Sequence, residues 1–80
     1  MEVKNFTLSI VVMNRPGVLS RVVGLFTKRG YNIDSLYVSA LAEDNSMSRI
    51  IMTSSGNDAI REQIIKQLEK LFDVQEAKLI

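Results

Sequence analysis

The chain of 80 residues contains no cysteine, no histidine and no tryptophan, and it has only one proline. Without cysteine it can form neither disulfides nor thiolate metal sites. Without histidine it lacks the most frequent general base and the most frequent metal ligand, which disfavours a catalytic site or a metal site. Its length predicts a single domain spanning residues 1–80. A domain this small and without cross-links has modest stability alone, which favours oligomerisation.

Charge and hydropathy exclude two further classes of partner. The net charge is +1 and the two signs are interspersed, which is not the concentrated positive field typical of nucleic-acid binding. No apolar run approaches the roughly 20 residues that a membrane span requires. The N-terminus shows no signal peptide. We therefore expect a cytoplasmic protein that binds neither nucleic acid nor membrane.

The first half of the chain changes its hydrophobic period at a single turn. Residues 4–13 alternate, which predicts a strand with one strongly apolar face, formed by Phe6, Leu8, Ile10 and Val12. Residues 16–29 instead have helical spacing, and their apolar stripe comprises Val18, Leu19, Val22, Val23, Leu25 and Phe26. Pro16 suits the first helical position, and Gly30 suits a left-handed residue that ends the helix.

The next segment predicts a hairpin. Residues 31–42 are rich in strand-forming side chains, and their alternation changes parity near Asp34-Ser35, which indicates a bulge. Glu43-Asp44-Asn45-Ser46 is typical of a turn, and residues 47–55 form a second strand-like run.

The last segment repeats the helix-then-strand pattern. Asn57 is a candidate N-cap. The following helical stripe comprises Ile60, Ile64, Ile65, Leu68, Leu71 and Phe72, and a short strand runs from Asp73 to the end. The order βαββαβ predicts an α+β, ferredoxin-like fold, with a four-stranded antiparallel sheet and two helices on one face.

Several functions share such a fold, and each has its own chemical requirement. RNA binding requires aromatic side chains on the open sheet face, where only Tyr31 and Tyr37 are candidates. A metallochaperone requires a soft ligand pair such as C-x-x-C, which is missing. An acylphosphatase-like site requires a phosphate-binding loop, which Arg15, Gly17 and Asn32 resemble only superficially.

Two junctions between strand and helix favour a small zwitterionic ligand such as an amino acid. In the segment 14–19, the first amides of the helix point outward and bind anions, and Gly17 allows close approach. Asn14 and Asn32 can each donate to a carboxylate or accept from an ammonium group. Either asparagine has a structural alternative, as a helix cap or a turn residue.

These segments carry a family resemblance that covers nearly the whole chain. The motifs are N-R-P-G-V-L at 14–19, S-R-V-x-G-L-F at 20–26 and R-G-Y-N-I-D-S-L at 29–36, followed by Ser48-Arg49 and the stretch from Glu62 to Val74. Together they resemble the N-terminal ACT domain of the acetohydroxyacid (acetolactate) synthase small subunit.

The resemblance implies a regulatory rather than a catalytic role in branched-chain amino acid biosynthesis. In this family the large catalytic subunit carries thiamine diphosphate, Mg²⁺ and FAD, and the small subunit, which holds no cofactor, activates it and confers feedback inhibition by valine. ACT domains form homodimers through side-by-side sheets, with the effector at the interface.

The effector site is carried over residue by residue. Asn14 and the backbone of Arg15, Pro16, Gly17, Val18 and Leu19 would hold the ligand's carboxylate and ammonium groups from one protomer. Asn32 and Ile33 would complete the site from the other, with Ile33 contacting the branched side chain. The charges on the outer helix faces, Arg21, Lys28, Arg61 and Lys70, we interpret as solvated.

Two departures from the family pattern leave alternatives open. Ser39-Ala40-Leu41-Ala42-Glu43 replaces a Pro-Thr-acid run, so the preferred amino acid is open. The chain ends at Ile80, where longer members continue into a second domain, and so the resemblance implies activation more strongly than feedback. The alternatives to a valine-binding regulatory subunit are a valine-insensitive activating module and a free-standing amino-acid-sensing ACT protein.

Overall fold

The computed structural model describes residues 3–41, 43 and 45–80, and it confirms the order βαββαβ. The elements are β1 (Lys4–Met13), α1 (Val18–Arg29), β2 (Asn32–Ala40), β3 (Met47–Gly56), α2 (Asp58–Glu69) and β4 (Val74–Leu79). Ala42 of the predicted second strand and Asp44 of the predicted turn lie outside the described residues.

The four strands form one antiparallel sheet in the order β2-β3-β1-β4. β1 and β3 occupy the centre because they carry the most continuous apolar alternation, whereas β2 and β4 are the edge strands. β2 and β3 form the predicted hairpin. Its register shifts between Ile33 and Ser35, which confirms the predicted bulge at Asp34.

The core lies between one face of the sheet and the two helices. Alternate residues of β1 point toward the helices, as their period of two requires. The buried cluster comprises Leu8, Ile10 and Val12 of β1, Val18, Val22 and Phe26 of α1, Ile50 and Met52 of β3, Ile64 and Leu68 of α2, and Ala77 of β4. The α+β, ferredoxin-like architecture predicted from the sequence is therefore confirmed.

The start of α1 differs from the prediction. Pro16 is not the first helical residue: the helix begins at Val18, and Gly17 is its N-cap in a left-handed conformation with φ of 87°. The helix cannot begin before Val18 because Gly17 has a positive φ and helical residues require a negative one. At the other end Gly30, with φ of 73°, ends the helix as predicted.

The end of α2 also differs from the prediction. The predicted cap at its start is confirmed, because Asn57 Oδ1 accepts from the Ile60 N–H at 2.8 Å. The helix ends at Glu69, however, and the side chain of Phe72 is 85% exposed rather than part of the apolar stripe. The residues after the helix form a tight turn instead, in which the Val74 N–H donates to Leu71 O at 3.1 Å.

Candidate functional site

A cavity opens where β1 ends and α1 begins. Its volume is about 290 Å³ including the open mouth. It is lined by Val12, Met13, Asn14, Arg15, Val18, Leu19, Val38, Ser48 and Ile50. Four of the predicted effector residues, Asn14, Arg15, Val18 and Leu19, therefore line one pocket. An apolar floor and a polar rim of this kind suit a small ligand with a hydrophobic side chain.

The sequence prediction missed the far wall of this cavity. Val38 is on the edge strand β2 and pairs with Ile50 of β3, which in turn pairs with Ile10 of β1. Val38 is 47% exposed in the protomer, so an apolar side chain at the mouth of the cavity faces solvent. The alternation of β2 places Val38 on the same side as Leu36, and this was the signal that could have identified it.

The backbone at the helix start presents hydrogen-bond donors. The Val18 N–H donates to Arg15 O at 3.3 Å, and the Arg21 N–H donates to Gly17 O at 3.0 Å. Within the described part of the chain, the N–H groups of Leu19 and Ser20 meet no backbone acceptor. Such N–H groups and the positive end of the helix dipole together attract anions.

Asn14 joins the site to the turn between β2 and β3. Its backbone N–H donates to Ser46 O at 2.7 Å, and its side-chain Nδ2 donates to Asn45 O at 2.9 Å. Asn14 is thus not the helix cap, which is Gly17. Nδ2 is thus engaged with the turn. Oδ1, the acceptor of the side-chain amide, is the atom that can accept from a ligand's ammonium group.

A buried carboxylate holds the two arginines beside the helix start. Asp73, only 6% exposed, lies in the turn between α2 and β4. Its Oδ1 accepts from Nε and Nη2 of Arg15 at 2.8 and 2.5 Å. Its Oδ2 accepts from Nε of Arg21 at 2.9 Å and from the same guanidinium's Nη2. Arg21 is thus exposed, as interpreted from the sequence, but it is also ion-paired with Asp73.

The same pairing sets the ionisation of the carboxyl. The hydrogen bonds from Arg15 lower the pKa of Asp73, desolvation by burial opposes them, and Arg21 lowers the pKa further. The net direction is downward from the ordinary value of 3.8. The Arg15 guanidinium also lies 5.4 Å from the centroid of the Phe72 ring. Its charge is thus engaged with Asp73 and Phe72.

The second predicted segment lies at the other end of the sheet. Asn32 pairs with Ser55, and Ser55 pairs with Asn5, at the start of β1. Asn14 follows nine residues after Asn5, which places it about 30 Å along the strand. One protomer therefore does not bring Asn14 and Asn32 together.

The side chains at this second segment already have partners of their own. Asn32 Nδ2 donates to Asp34 Oδ1, and the Asn32 carbonyl accepts from the buried Ser54 hydroxyl. Ile33 is half-buried and packs against the core. Residues 32 and 33 are therefore held firmly at the beginning of the edge strand.

The alternative functions lack their required geometry. Tyr31 packs edge-on against Phe26, with ring centroids 5.8 Å apart, and its hydroxyl donates to Gln63 Oε1 at 2.6 Å. It therefore forms no base-stacking surface with the exposed Tyr37. The residues that resemble an acylphosphatase site are also not brought together, because Asn32 lies at the other end of the sheet from Arg15.

Two further features are missing from the described residues, a metal-binding cluster and a membrane-spanning helix. Across residues 3–41, 43 and 45–80, no group of three or more acidic side chains is placed to hold a metal ion. No helix in that part of the chain is long and apolar enough to cross a membrane.

Comparison with known proteins identifies close relatives. Residues 8–76 match the model of the AHAS small subunit-like ACT domain. The chain is 54% identical over 71 residues to the acetolactate synthase small subunit of Buchnera aphidicola, covering 89% of this chain and 44% of that protein. It is 51% identical over 67 residues to the acetolactate synthase isozyme 3 small subunit of Escherichia coli, covering 84% and 40%.

A solved structure also resembles this chain. The crystal structure of the acetolactate synthase small subunit from Thermotoga maritima superposes with a TM-score of 0.86 at 37% sequence identity. The superposition covers 95% of this chain and 47% of that one. The chain thus spans less than half the length of the three relatives it matches.

Proposed function

Since the chain belongs to the family of AHAS small subunit-like ACT domains, we propose that it is a regulatory, non-catalytic part of an acetolactate synthase and that it senses a branched-chain amino acid. In this role it activates the large catalytic subunit, which carries thiamine diphosphate, Mg²⁺ and FAD, and it transmits feedback by valine. The observation that carries the proposal is the cavity at the start of α1, with its apolar floor and its N–H donors.

The ligand's three groups have separate partners in this proposal. The carboxylate lies at the free N–H groups of Leu19 and Ser20, because a helix N-terminus stabilises negative charge. The ammonium group donates to Asn14 Oδ1. The branched side chain packs against Val18 and Val38. A valine side chain buried in this way is stabilised by about 1.5–3 kcal/mol.

A second protomer completes the cavity. Among residues 3–41, 43 and 45–80, the outer side of edge strand β2 pairs with no other strand of the protomer, and Val38 and Tyr37 are exposed along β2. A two-fold axis beside β2 would pair it antiparallel with β2 of a second copy, which gives a self-complementary interface. The beginning of one β2 then lies next to the end of the other, so that Asn32 and Ile33 reach the partner's cavity near Val38.

The experiment that tests this function is an NMR titration of the ¹⁵N-labelled protein with valine, with leucine and alanine as controls. We expect saturable shifts at Val18, Leu19, Asn32 and Ile33 with valine and much weaker shifts with alanine, because alanine lacks the branched methyl groups. Sedimentation equilibrium of the same samples should give the mass of a dimer. A spectrum unchanged at millimolar valine would contradict the sensing part of the proposal.

One observation favours the valine-insensitive activating module as a second candidate. The Nδ2 groups of Asn14 and Asn32 both donate within the protomer already, to Asn45 O and Asp34 Oδ1. Reconstitution with the catalytic subunit separates the two functions. A rise in acetolactate synthase activity that valine then lowers supports the sensor, whereas a rise that valine leaves unchanged supports the module. A free-standing ACT protein would produce no rise.

A further inference from the structure

We propose that Asp73 is a positioning residue for the effector site: through Arg15 and Arg21 it fixes the turn at Gly17 in the conformation that presents the helix N–H groups. This inference rests on the proposed function, because it concerns the same cavity. Asp73 does not line that cavity. It lies in the turn between α2 and β4, where it contacts two residues that do line it, Met13 and Arg15.

Asp73 contacts residues on both sides of the turn that joins β1 to α1. Its backbone carbonyl accepts from the Met13 N–H at 2.9 Å, at the last residue of β1. Its side chain binds Arg15, before Gly17, and Arg21, in the first turn of α1. Three points along residues 13–21 are therefore tied to one residue that is far away in sequence. A carboxylate that is nearly buried and accepts four N–H groups has little freedom to move.

Arg21 transmits the position of Asp73 to Gly17. A Cβ atom built on Gly17 would lie 3.0 Å from Arg21 Nη1, so the guanidinium occupies the space beside the glycine. Gly17 has a left-handed φ, and because glycine has no Cβ its own structure does not restrict that angle. The Arg21 N–H donates to Gly17 O in addition. Loss of the carboxylate leaves two adjacent cations that repel each other, and the turn then loses its restraint on both sides.

The first experimental arm needs no ligand and measures amide hydrogen exchange in the full 80-residue chain carrying Asp73→Asn. We expect faster exchange at the Val18 and Arg21 N–H groups, which bond across the turn, and unchanged exchange at the Tyr31 N–H, which donates to Phe26 O at 2.9 Å at the far end of α1. Asp58→Asn is the matched control, because Asp58 also has two cationic partners, Lys4 at 3.9 Å and Arg61 at 3.7 Å.

A general loss of stability would accelerate hydrogen exchange at all three N–H groups together, and that result would contradict the inference. Unchanged exchange at all three groups would also contradict it. This arm decides whether Asp73 positions the turn even when valine does not bind. Failure of the inference and failure of the proposed function therefore remain distinguishable.

The second arm measures valine affinity by the same NMR titration. We expect Asp73→Asn to weaken valine binding by at least about fivefold, the lower end of typical coupling between sites. Arg21→Gln should weaken it similarly, and the double variant should be no weaker than either, because the two residues act through one contact. Additive losses, or wild-type affinity in Asp73→Asn while the wild-type protein binds valine, would overturn the inference.

Discussion

Replacing Gly17 with alanine tests the left-handed turn at the site directly. Gly17 has φ of 87°, a conformation that costs an L-residue roughly 1–2 kcal/mol. The new Cβ would also lie 3.0 Å from Arg21 Nη1, and Arg21 cannot move freely because Asp73 holds it. We therefore expect Gly17→Ala to lower the free energy of unfolding by about 1–2 kcal/mol or slightly more, which is roughly 5–15 °C in Tm for a domain of this size.

Two other glycines, Gly24 inside α1 and Gly30 at its C-terminal cap, provide matched controls. Gly30 has φ of 73°, and within the part of the chain that the structure describes its Cβ would meet nothing within 4 Å. Gly30→Ala should therefore show the backbone cost alone. Gly24 lies inside the helix, also with nothing described within 4 Å. Gly24→Ala should stabilise the protein by about 0.5–1 kcal/mol, because alanine is the better helix former.

The assay is urea denaturation followed by circular dichroism, combined with the valine titration on the same variants. We expect valine binding to weaken in Gly17→Ala and to stay unchanged in Gly24→Ala. Wild-type stability in Gly17→Ala would refute the conformation assigned to this turn. Wild-type valine affinity in a destabilised Gly17→Ala would refute the placement of the ligand at the helix start.

Three further predictions concern the fold around the site. Phe26→Ala should cost about 3–5 kcal/mol in the same urea assay, because Phe26 is fully buried, whereas Phe72→Ala on the exposed ring should cost less than about 1 kcal/mol. Asn57→Ala should cost about 1 kcal/mol by removing the acceptor of the Ile60 N–H, and Asn57→Asp should retain most of that stability. Because the pKa of Asp73 is lowered in the folded state, its contribution is present above about pH 3.8 and is lost as the pH falls through the folded pKa. Unfolding measured between pH 5 and 2 should therefore show a shallower loss of stability for Asp73→Asn than for the wild type, and equal slopes would contradict the ion pairs.

Local patterns made most of the fold predictable. The alternation from Phe6 to Val12 placed β1 correctly because every second residue of a strand points to the same face of the sheet, here the face that packs against the helices. The parity change at Asp34 predicted the bulge for the same reason, since a one-residue insertion reverses the sides of a strand. The Asn57 cap and the left-handed Gly30 were predictable because both depend only on neighbouring residues.

Contacts between distant residues were not predictable from one sequence. Asp73 pairs with Arg15 and Arg21 across separations of 58 and 52 residues, and no local pattern marks it. The same pairing explains the error at Phe72. The helical period continues through Leu71 and Phe72, but the turn that buries the Asp73 carboxylate ends the helix earlier.

The candidate site was predicted in part. Asn14, Arg15, Val18 and Leu19 do meet at one cavity, because a single turn carries all of them. Val38 and Ser48 were missed because only the register of the sheet brings them there. The roles of Asn32 and Ile33 depend on a second protomer and stay a prediction.

The central claim is that the cavity at the start of α1 is an amino-acid site completed by β2 of a second protomer. Filtered nuclear Overhauser effects between the methyl groups of unlabelled valine and the ¹³C-labelled protein test it most directly. The account predicts contacts from one bound valine to Val18 and Leu19 and also to Ile33, which one protomer alone places too far away to share a ligand. Contacts at any other surface, or none at a valine concentration that saturates the acetolactate synthase response, would contradict it.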